Sequence, residues 1–528
     1  MKIAVIGSGL AAVSAAKVLI SRGFKPIILD KGETLDSEKT SIVNKLSKLD
    51  PNEWELEDKK IITSNPTIKD KNKFPLKMAF GSDYFYGKSL KNATIETDGK
   101  LPPFSYAKGG FSVGWGSTVL APDDCDLQAW PIKRDQLEPY FKKNLKDLPY
   151  SALNDGLSKY FPIYSKNINP LELTKGNNQL LKDMMESNIK NKEEVSFGQS
   201  RLLVRSMDDK DALGCKKCGY CMSGCVYDCI YKSTQDIDTM VSHGSIDYIQ
   251  GVIVYSLEEI NKKVKISFID KDNSYETLIV DRVFVGAGAV GSTRIVLQSK
   301  KLYKHEVRLQ STVAFVAPML RMKRLPVDWP NANTLPGIFL EYKVNELSNH
   351  WVHTQLSTPN ELVFQKLGID FLKPGIIQAI KKNIVGHLVV ALCNLHSDHA
   401  NGYVLSLEKN NATIIDKLIS RREEMNVPEM SIKRALKKLS SLGRMFGCYV
   451  LDPFVQDTIS SGGYHVGGTL PMKIILEKDT DTNLLGIPKG WSRIHVIDSS
   501  TFPSLPGTTI GLLAMANAAR IASEIEYD

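Results

Sequence analysis

Five of the eight cysteines of this 528-residue chain fall within one short stretch, residues 215–229. Four of them follow the spacing Cys-x2-Cys-x2-Cys-x3-Cys, and they are Cys215, Cys218, Cys221 and Cys225. Four thiolates on one loop can hold an iron–sulfur cluster, 4Fe–4S or 3Fe–4S, and the bacterial ferredoxin run has the nearest spacing. A structural zinc site is less natural, because zinc sites usually join two cysteine pairs across a longer loop. Free thiols are the third alternative.

Two features depart from the ferredoxin pattern. Val226 stands where that pattern has a proline, and Cys229 is a fifth cysteine that could replace one ligand. Clustering in one loop does not suit the disulfide framework of a secreted scaffold. We therefore expect a reducing, cytoplasmic environment and a metal centre.

A second candidate for chemistry is His465, in the segment His465-Val466-Gly467-Gly468-Thr469. An imidazole titrates near neutral pH, so it can take a proton from a hydroxyl group while a hydride leaves the carbon. The alternative is a buried structural histidine beside a turn. Among the other histidines, His495 is interpreted as packing on a strand. His396 and His399 have a spacing compatible with metal ligation, but a polar loop is the favoured interpretation.

The elements that must position these groups begin at the first residues. Residues 2–6 form an apolar run typical of a buried strand, and 7–12, Gly-Ser-Gly-Leu-Ala-Ala, fit G-x-G-x-x-A. A helical pattern follows over 11–19. This order of strand, glycine turn and helix predicts a dinucleotide-binding βαβ unit; a glycine turn in an unrelated α/β protein is the alternative.

Each motif position has a physical reason. Gly7 permits the tight turn, Gly9 lets a pyrophosphate approach the backbone, and Ala12 allows the helix to pack closely on the sheet. A second predicted strand, 26–29, is followed by Asp30, whose carboxylate would accept hydrogen bonds from a ribose. The motif by itself does not distinguish NAD from FAD.

Segments far along the chain make that distinction. They are the glycine-dense loop 108–117, Trp130-Pro131-Ile132, the strand and turn 283–294, the His465 segment, the stretch 496–504 and a small-residue helix that ends near 522. In this order the segments resemble the glucose-methanol-choline (GMC) oxidoreductase family. The resemblance covers the FAD-domain segments and is poor across 301–455.

The resemblance implies an α/β fold with a Rossmann-like FAD-binding domain built from discontinuous segments, and an α+β substrate domain on an antiparallel sheet. We expect an FAD-binding domain over 1–300, a substrate-binding domain over 301–455, and a return to the FAD-binding domain over 456–528. Within the first part, 37–70 is expected to be an exposed excursion and 213–231 the cysteine-cluster loop.

Several sequence patterns agree with this layout. Alternating apolar and polar residues over 312–322, 337–344, 387–395 and 403–407 are consistent with strands of the antiparallel sheet. A helix is predicted over 431–446, with leucines along one side.

The resemblance also implies site residues. His465 would lie above the flavin as the acid/base group. Many members of the family carry Asn or His followed by Pro at the start of the last helix, where this chain has Thr509-Ile510. A threonine hydroxyl can orient a substrate but cannot act as a base at neutral pH. Thr508 or Thr509 equally suits a helix N-cap. The positions expected to contact FAD are Gly7, Gly9, Leu10, Ala12, Asp30, Lys31, Gly109, Gly110, Trp115, Gly116, Ser117, Ala287, Gly288, Asp498, Thr508 and Thr509.

These expectations together describe an FAD-dependent dehydrogenase that oxidises a CH–OH group of an alcohol, sugar or polyol by hydride transfer. Some GMC members carry a cysteine-ligated iron–sulfur centre, which implies a relay of electrons to an external acceptor. Two alternatives stay open: a non-redox lyase or isomerase with a structural flavin, and an FAD-fold binding protein without turnover.

Composition excludes other classes. The net charge of +8 is scattered among acidic residues, so a nucleic-acid partner is not expected. We find no apolar run long enough for a transmembrane helix, and the first strand begins too early for a secretion signal. The lysine-rich apolar stretch 361–385 is compatible with an amphipathic helix on the inner membrane surface or with two core-packed helices.

Overall fold

A parallel sheet of five strands draws its members from distant parts of the sequence. The computed structural model describes residues 1–69, 77–86, 95–97, 102–209, 212–368, 382–424, 427–459 and 463–526. In spatial order the strands of this sheet are Ile494–Val496, Arg282–Val285, Ile3–Ile6, Ile27–Asp30 and Asp247–Gln250. All neighbouring pairs are parallel. This confirms the Rossmann-like domain assembled from discontinuous segments.

Other elements pack on both faces of the parallel sheet. Side chains alternate along each strand, so successive residues contact opposite layers. Ile3, Val5 and Phe284 lie with the helices Leu10–Ser21 and Gly511–Glu524. The opposite residues, such as Ala4 and Val283, pack on a three-stranded antiparallel sheet. The strands of that sheet are Ile253–Ile260, Lys263–Ile269 and Tyr275–Val280.

A second large sheet is antiparallel throughout. Its strands, in spatial order, are Cys448–Val450, Val313–Arg321, Leu388–Leu395, Ser348–Ser357, Ile338–Val344 and Val195–Gln199, and Gln456–Asp457 also pairs with Val313–Arg321. The helix Val427–Met445 packs against one face through Ile432, Ala435 and Leu439. Three of the four strand predictions fall in this sheet, and the helix prediction is correct apart from its start.

One strand prediction placed its segment in the wrong sheet. Tyr403–Glu408 belongs to a separate sheet with the order Val466–Gly467, Val307–Ser311, Tyr403–Glu408, Lys417–Arg422 and Ile95–Thr97. Alternation shows that a strand has one buried face, but it does not name the neighbouring strand. The remaining two-stranded ladder joins Tyr150–Ser151 and Leu202–Leu203.

The expected exposed excursion at 37–70 is wrong in part. It contains the helices Ser37–Leu46 and Leu56–Ile62, and Leu46, Trp54 and Ile62 are buried in a core shared with the cysteine loop. The remaining helices are Arg134–Lys146, Lys175–Glu186, Ser233–Ser242, Gly288–Ser299 and Glu361–Lys366.

The stretch 361–385 is described only at its two ends. Leu362 and Phe364 of the helix Glu361–Lys366 are buried, as the core-packed interpretation requires for this part. Residues 369–381, which carry most of the membrane-surface prediction, lie outside the described residues. No helix in the described ranges is long and apolar enough to cross a membrane.

Candidate active site

The first glycine turn has the geometry that a dinucleotide requires. Gly7 has φ +95°, and a side chain there would overlap the carbonyl oxygen of Gly286, so only glycine fits. A Cβ placed on Gly9 would meet no atom within 4 Å, so this backbone borders open space at the start of the helix Leu10–Ser21. Ala12 permits the close packing that the motif predicts, because a Cβ placed on Gly286 would lie only 3.2 Å from the Cβ of Ala12.

Asp30 ends the second strand in a network of hydrogen bonds. Ser8 and Tyr248 both donate a hydroxyl hydrogen bond to its carboxylate, the second at 2.9 Å. The hydroxyl oxygen of Ser8 in turn accepts from the backbone N–H of Gly109 at 2.8 Å. Burial raises the pKa of Asp30 to about 6. Asp30 therefore ends the second strand as predicted, and its contact with a ribose stays a prediction. The carbonyl of Lys31, next to it, accepts from the N–H of Gly251.

The glycine-dense loop 108–117 closes over the first turn. Gly109 and Gly110 both have positive φ, and a Cβ on Gly110 would lie 3.6 Å from the Cα of Gly9. The indole N–H of Trp115 donates to the carbonyl of Tyr231 at 2.7 Å. A Cβ on Gly116, in contrast, would meet nothing within 4 Å.

The ring of Trp115 also packs against the start of the last helix. A Cβ on Gly511 would be 2.7 Å from the Trp115 ring and 3.3 Å from Leu10. The loop, the first helix and the last helix therefore meet at one point, and contacts of Leu10 and Trp115 with FAD stay predictions.

The turn after the strand Arg282–Val285 is held from the opposite end of the chain. The carboxylate of Asp498 accepts from the hydroxyls of Ser292 at 2.5 Å and Ser500 at 2.6 Å, and burial raises the pKa of Asp498. Ala287 is the N-cap of the helix Gly288–Ser299, and Gly288, with φ +75°, borders open space. Asp498 thus braces this turn; a direct contact with a cofactor stays a prediction.

Four of the predicted site residues have a buried polar atom with no hydrogen-bond partner among the described residues. They are the hydroxyls of Ser117, Thr508 and Thr509 and the Nδ1 of His465. An unpartnered buried polar group costs about 1–3 kcal/mol, so each of these atoms calls for a partner such as a bound group. Together with the open space at Gly9, Gly116 and Gly288, these atoms fit a bound dinucleotide such as FAD.

The prediction that Thr508 or Thr509 caps the last helix is wrong. The helix runs over Gly511–Glu524, its N-cap is Ile510, and no side chain caps it. Both threonine hydroxyls are thereby left for another partner, and the positive end of the helix dipole is not neutralised by a side-chain cap.

His465 is a buried histidine whose backbone carbonyl accepts from the N–H of Thr312 at 3.1 Å. Burial, and to a smaller extent the charge of His353, together lower the pKa of His465 to about 4. His465 is therefore neutral at physiological pH and able to accept a proton.

His353 is paired with a buried carboxylate. Its Nδ1 lies 2.6 Å from Oε1 of Glu341, and both side chains are fully buried. The two residues face each other across neighbouring antiparallel strands. A glutamate inside the apolar run Ile338–Val344 is the one sequence signal that could have pointed to this pair.

The five cysteines of the loop pack in one cluster, in which Cys221 and Cys229 are buried and the other three are partly buried. Burial raises the pKa of Cys215, Cys218 and Cys221, and the hydrogen bond with Cys229 lowers that of Cys225 to about 6. All of these cysteines are free of disulfides.

Backbone groups also point at the sulfurs. The N–H of Thr334 donates to Sγ of Cys221 at 3.4 Å, and the N–H of Cys229 donates to Sγ of Cys225 at 3.3 Å. The thiol of Cys229 donates to the carbonyl of Leu213, which disfavours it as a ligand. Such N–H···S bonds accompany iron–sulfur clusters and tune their potential.

The spacing of the sulfurs bears on the choice of metal. Within the described part of the chain, no three of these sulfurs lie within 4.8 Å of one another. Four sulfurs around zinc, at a Zn–S distance of about 2.3 Å, would be about 3.8 Å apart. An iron–sulfur cluster at these cysteines stays a prediction.

Aromatic side chains pack at the cysteine loop, and Lys77 connects this loop to the glycine-dense loop 108–117. Trp54 stacks on Tyr220 and Tyr227, with ring centroids 6.1 and 5.8 Å away. The amine of Lys77 donates to the carbonyl of Trp115 at 2.6 Å. Burial lowers the pKa of Lys77 to about 8, although the nearby Cys221 and Cys225 act to raise it. The cysteine loop and the glycine-dense loop 108–117 are therefore neighbours.

A separate histidine cluster lies at one end of two inner strands of the antiparallel sheet, Ser348–Ser357 and Leu388–Leu395. His350, His396 and Asp398 bring one potential ligand atom each within 4.8 Å of one another. The rings of His350 and His396 stack at 3.7 Å with an interplanar angle of 9°. Because a metal ion lies in the plane of each imidazole that binds it, parallel stacked rings cannot share one ion. The polar-turn interpretation of His396 and His399 agrees with this geometry, in which Ser397–His399 is a short turn.

The fold combines a Rossmann-like parallel sheet with a β-rich second region built on an antiparallel sheet. Among solved structures, the chain is similar to pyridoxine 4-oxidase from Mesorbium loti, with a TM-score of 0.62 and 13% identity over 99% of this chain and 98% of that chain. No protein-family model and no curated protein sequence matches the chain. The likeness at this identity is one of fold.

Proposed function

We propose that the protein is an FAD-dependent oxidoreductase of the GMC type that oxidises a CH–OH group. The observation that carries the proposal is the cradle at Gly9, Gly116 and Gly288, bordered by open space and accompanied by the unpartnered polar atoms of Ser117, His465, Thr508 and Thr509. The similar fold of an enzyme described as pyridoxine 4-oxidase supports oxidation of an alcohol.

The chain supplies the groups that such a reaction needs. FAD, when bound, supplies the acceptor for the hydride that leaves the carbon. His465, neutral and with an unpartnered Nδ1, takes the hydroxyl proton onto its imidazole. The hydroxyl of Thr509 orients the substrate oxygen, and the adjacent positive end of the helix Gly511–Glu524 favours negative charge next to it.

We further propose that Cys215, Cys218, Cys221 and Cys225 hold an iron–sulfur cluster. The clustered free thiols and the N–H···S bonds to Cys221 and Cys225 fit this group. The cluster would supply a one-electron carrier beside the cradle. The protein would then be a dehydrogenase for a small alcohol, sugar or polyol that uses an external electron acceptor.

Spectroscopy on anaerobically purified protein tests both proposals. Ultraviolet–visible and electron paramagnetic resonance spectra are recorded before and after dithionite, with flavin, iron and zinc quantified on the same sample. Flavin plus stoichiometric iron and a cluster signal supports the dehydrogenase. Flavin with zinc or without metal removes the relay, and a preparation that cannot be loaded with FAD overturns the central proposal.

The donor is tested by reduction of the bound flavin. Alcohols, sugars, polyols and pyridoxine are added anaerobically, and loss of the oxidised flavin absorption is followed. Bleaching by a CH–OH donor supports oxidation. A non-redox lyase or isomerase, which Thr509 in place of a second base keeps open, would turn over its substrate without any bleaching.

A further inference from the structure

A cleft borders the cysteine loop at a place that the flavin site does not use. Its walls come from the start of the helix Lys175–Glu186, from residues 325–335 and from the start of the strand Leu388–Leu395. The empty space between the walls, which opens to solvent, is about 430 Å³ and lies in the range of small-molecule sites. Among the described residues that line it, none is predicted to contact FAD. The cleft is therefore a second candidate site.

Two residues of the cleft wall contact the cysteine loop directly. The indole N–H of Trp329 donates to the carbonyl of Gly219 at 2.9 Å. The hydroxyl of Thr334 accepts from the backbone N–H of Cys221 at 3.1 Å, and the N–H of Thr334 lies 3.4 Å from the Cys221 sulfur. This sulfur is therefore separated from the cleft by the thickness of one residue.

The cysteine loop also reaches the glycine-dense loop 108–117 through the segment 77–80. The N–H of Phe80 donates to the carbonyl of Ser223 at 2.7 Å, and the amine of Lys77 donates to the carbonyl of Trp115. The cysteine loop therefore connects the glycine-dense loop with the cleft. A molecule in the cleft would be placed to take electrons that leave a metal centre in this loop.

The charge of the cleft selects the class of molecule. No lysine or arginine stands among the described residues that line it, and their one charged side chain is Asp328. The carboxylate of Asp328 accepts from the N–H of Lys175 at 2.6 Å, so it occupies a donor at the start of the helix. An anionic acceptor, such as a nicotinamide dinucleotide with its pyrophosphate, would find no cationic side chain to pair with. The cleft therefore suits a neutral molecule.

Most of the remaining wall is apolar, with hydrogen-bond donors at one side. The apolar side chains include Leu325, Val327, Ala332, Leu335, Val385 and Leu388. The hydroxyl oxygens of Thr174 and Thr358 lie 3.3 Å apart, and that of Thr174 also accepts from the N–H of Asn177 at 2.9 Å. One hydroxyl hydrogen fits between the two threonines, so within the described residues the other is left to donate to a ligand. These groups suit a ligand with an apolar body and a carbonyl oxygen.

We propose, on the basis of the electron relay proposed above, that the cleft binds a quinone as the external electron acceptor. Oxidation of the CH–OH group to a carbonyl gives a hydride to the flavin and a proton to His465. The two electrons of the hydride pass singly through the metal centre to the quinone, and the protons are released to water. The quinone takes up two electrons and two protons from water and becomes a hydroquinone. In sum, an alcohol and a quinone become a carbonyl compound and a hydroquinone.

Substitutions that fill the cleft test the proposal. Val327→Trp and Leu388→Trp place a large ring in the cleft from two different, half-buried positions. Ile260→Trp, at an exposed position of the three-stranded sheet, is the matched control. The probe is duroquinone, which is methylated at every free ring position and so does not add to thiols. Its binding to the oxidised holoenzyme is measured by equilibrium dialysis.

A second readout does not depend on the alcohol. Holoenzyme is reduced anaerobically with stoichiometric dithionite and mixed with duroquinone, and the return of the oxidised flavin absorption is followed. We expect both cleft variants to weaken duroquinone binding at least about tenfold and to slow flavin reoxidation at low quinone concentration, whereas Ile260→Trp matches wild type. Thr358→Val, which removes a donor with little change of volume, should weaken binding by about two- to tenfold.

The proposal is overturned if wild-type protein does not bind duroquinone, or if the cleft variants bind it and are reoxidised as wild type is. The second result would mean that the quinone reacts at the flavin. Reoxidation by a haem protein but not by duroquinone would assign the electron exit to a protein partner and also overturn the proposal. Should the tryptophan variants fail to fold, unchanged binding in Thr358→Val refutes the site. If the cleft behaves as expected but no alcohol reduces the flavin, the quinone site stands and the proposed alcohol oxidation fails.

Discussion

Replacing Gly9 by alanine should separate flavin binding from protein stability. Gly9 has φ −70°, which alanine adopts freely, and the new Cβ would meet no protein atom within 4 Å. Alanine restricts the unfolded chain, which raises the free energy of unfolding. It is also a poorer N-cap residue than glycine, which lowers that free energy. The free energy of unfolding of the FAD-free protein should therefore stay within about 1 kcal/mol of wild type. A methyl group in the space assigned to the pyrophosphate should cost about 1–3 kcal/mol of binding. That cost is a rise in the FAD Kd of about five- to 150-fold.

The matched control is Gly23→Ala. Gly23 has φ +85° and also open space around a Cβ, so alanine there should cost about 1–2 kcal/mol of stability and leave FAD affinity unchanged. Urea unfolding of the FAD-free protein and fluorescence titration with FAD measure the two quantities. If Gly9→Ala binds FAD as tightly as wild type, the assignment of this open space to the cofactor is refuted.

The remaining predictions concern the other site groups. Thr509→Val should leave stability unchanged or raise it by up to about 1 kcal/mol, because it removes an unpartnered buried hydroxyl, yet lower kcat; lost stability with full activity would contradict this. His465→Gln should retain FAD and lose most of the flavin reduction by substrate, and retained reduction would exclude it as the base. Cys218→Ser should lower bound iron while Cys125→Ala, outside the loop, should not; equal iron in both argues against the cluster. Burial disfavours a charged His350, but contacts with Asp126 and Asp398 outweigh it and raise its pKa to about 9. That stabilisation is complete below the unfolded pKa of about 6.5 and disappears as pH rises through about 9, so His350→Gln should cost about 1–3 kcal/mol at pH 6 and little at pH 10. Chemical unfolding at both pH values measures it, with the exposed His243→Gln as control, and a loss independent of pH would refute the charge argument.

The fold was largely predictable because its signals are local. The turn at Gly7 and Gly9, the helix after it and the carboxylate at Asp30 all lie within the first thirty residues, where each residue type has a stereochemical reason. The strands at 313–321, 338–344 and 388–395 could be recognised as short, mostly apolar runs. The strand Ser348–Ser357 escaped notice, since its buried His353 and Thr354 interrupt the apolar pattern.

The corrections share another cause. The helix at Gly511 starts two residues after Thr509, and helix ends are among the least predictable boundaries because several polar residues can cap equally well. The segment 37–70 reads as polar, yet Trp54 places it over the cysteine loop more than 150 residues away. No local pattern contains that information.

By itself, the sequence determined the nucleotide-binding turn, the cysteine spacing and the histidine segment, because each depends on residues close together along the chain. The tertiary structure alone decided which groups meet: Glu341 with His353, the charge of His353 with His465, and Lys77 between the cysteine loop and Trp115. Such contacts depend on strand register and on the packing of distant segments, and these are chosen by the burial of the whole core rather than by any one stretch of residues.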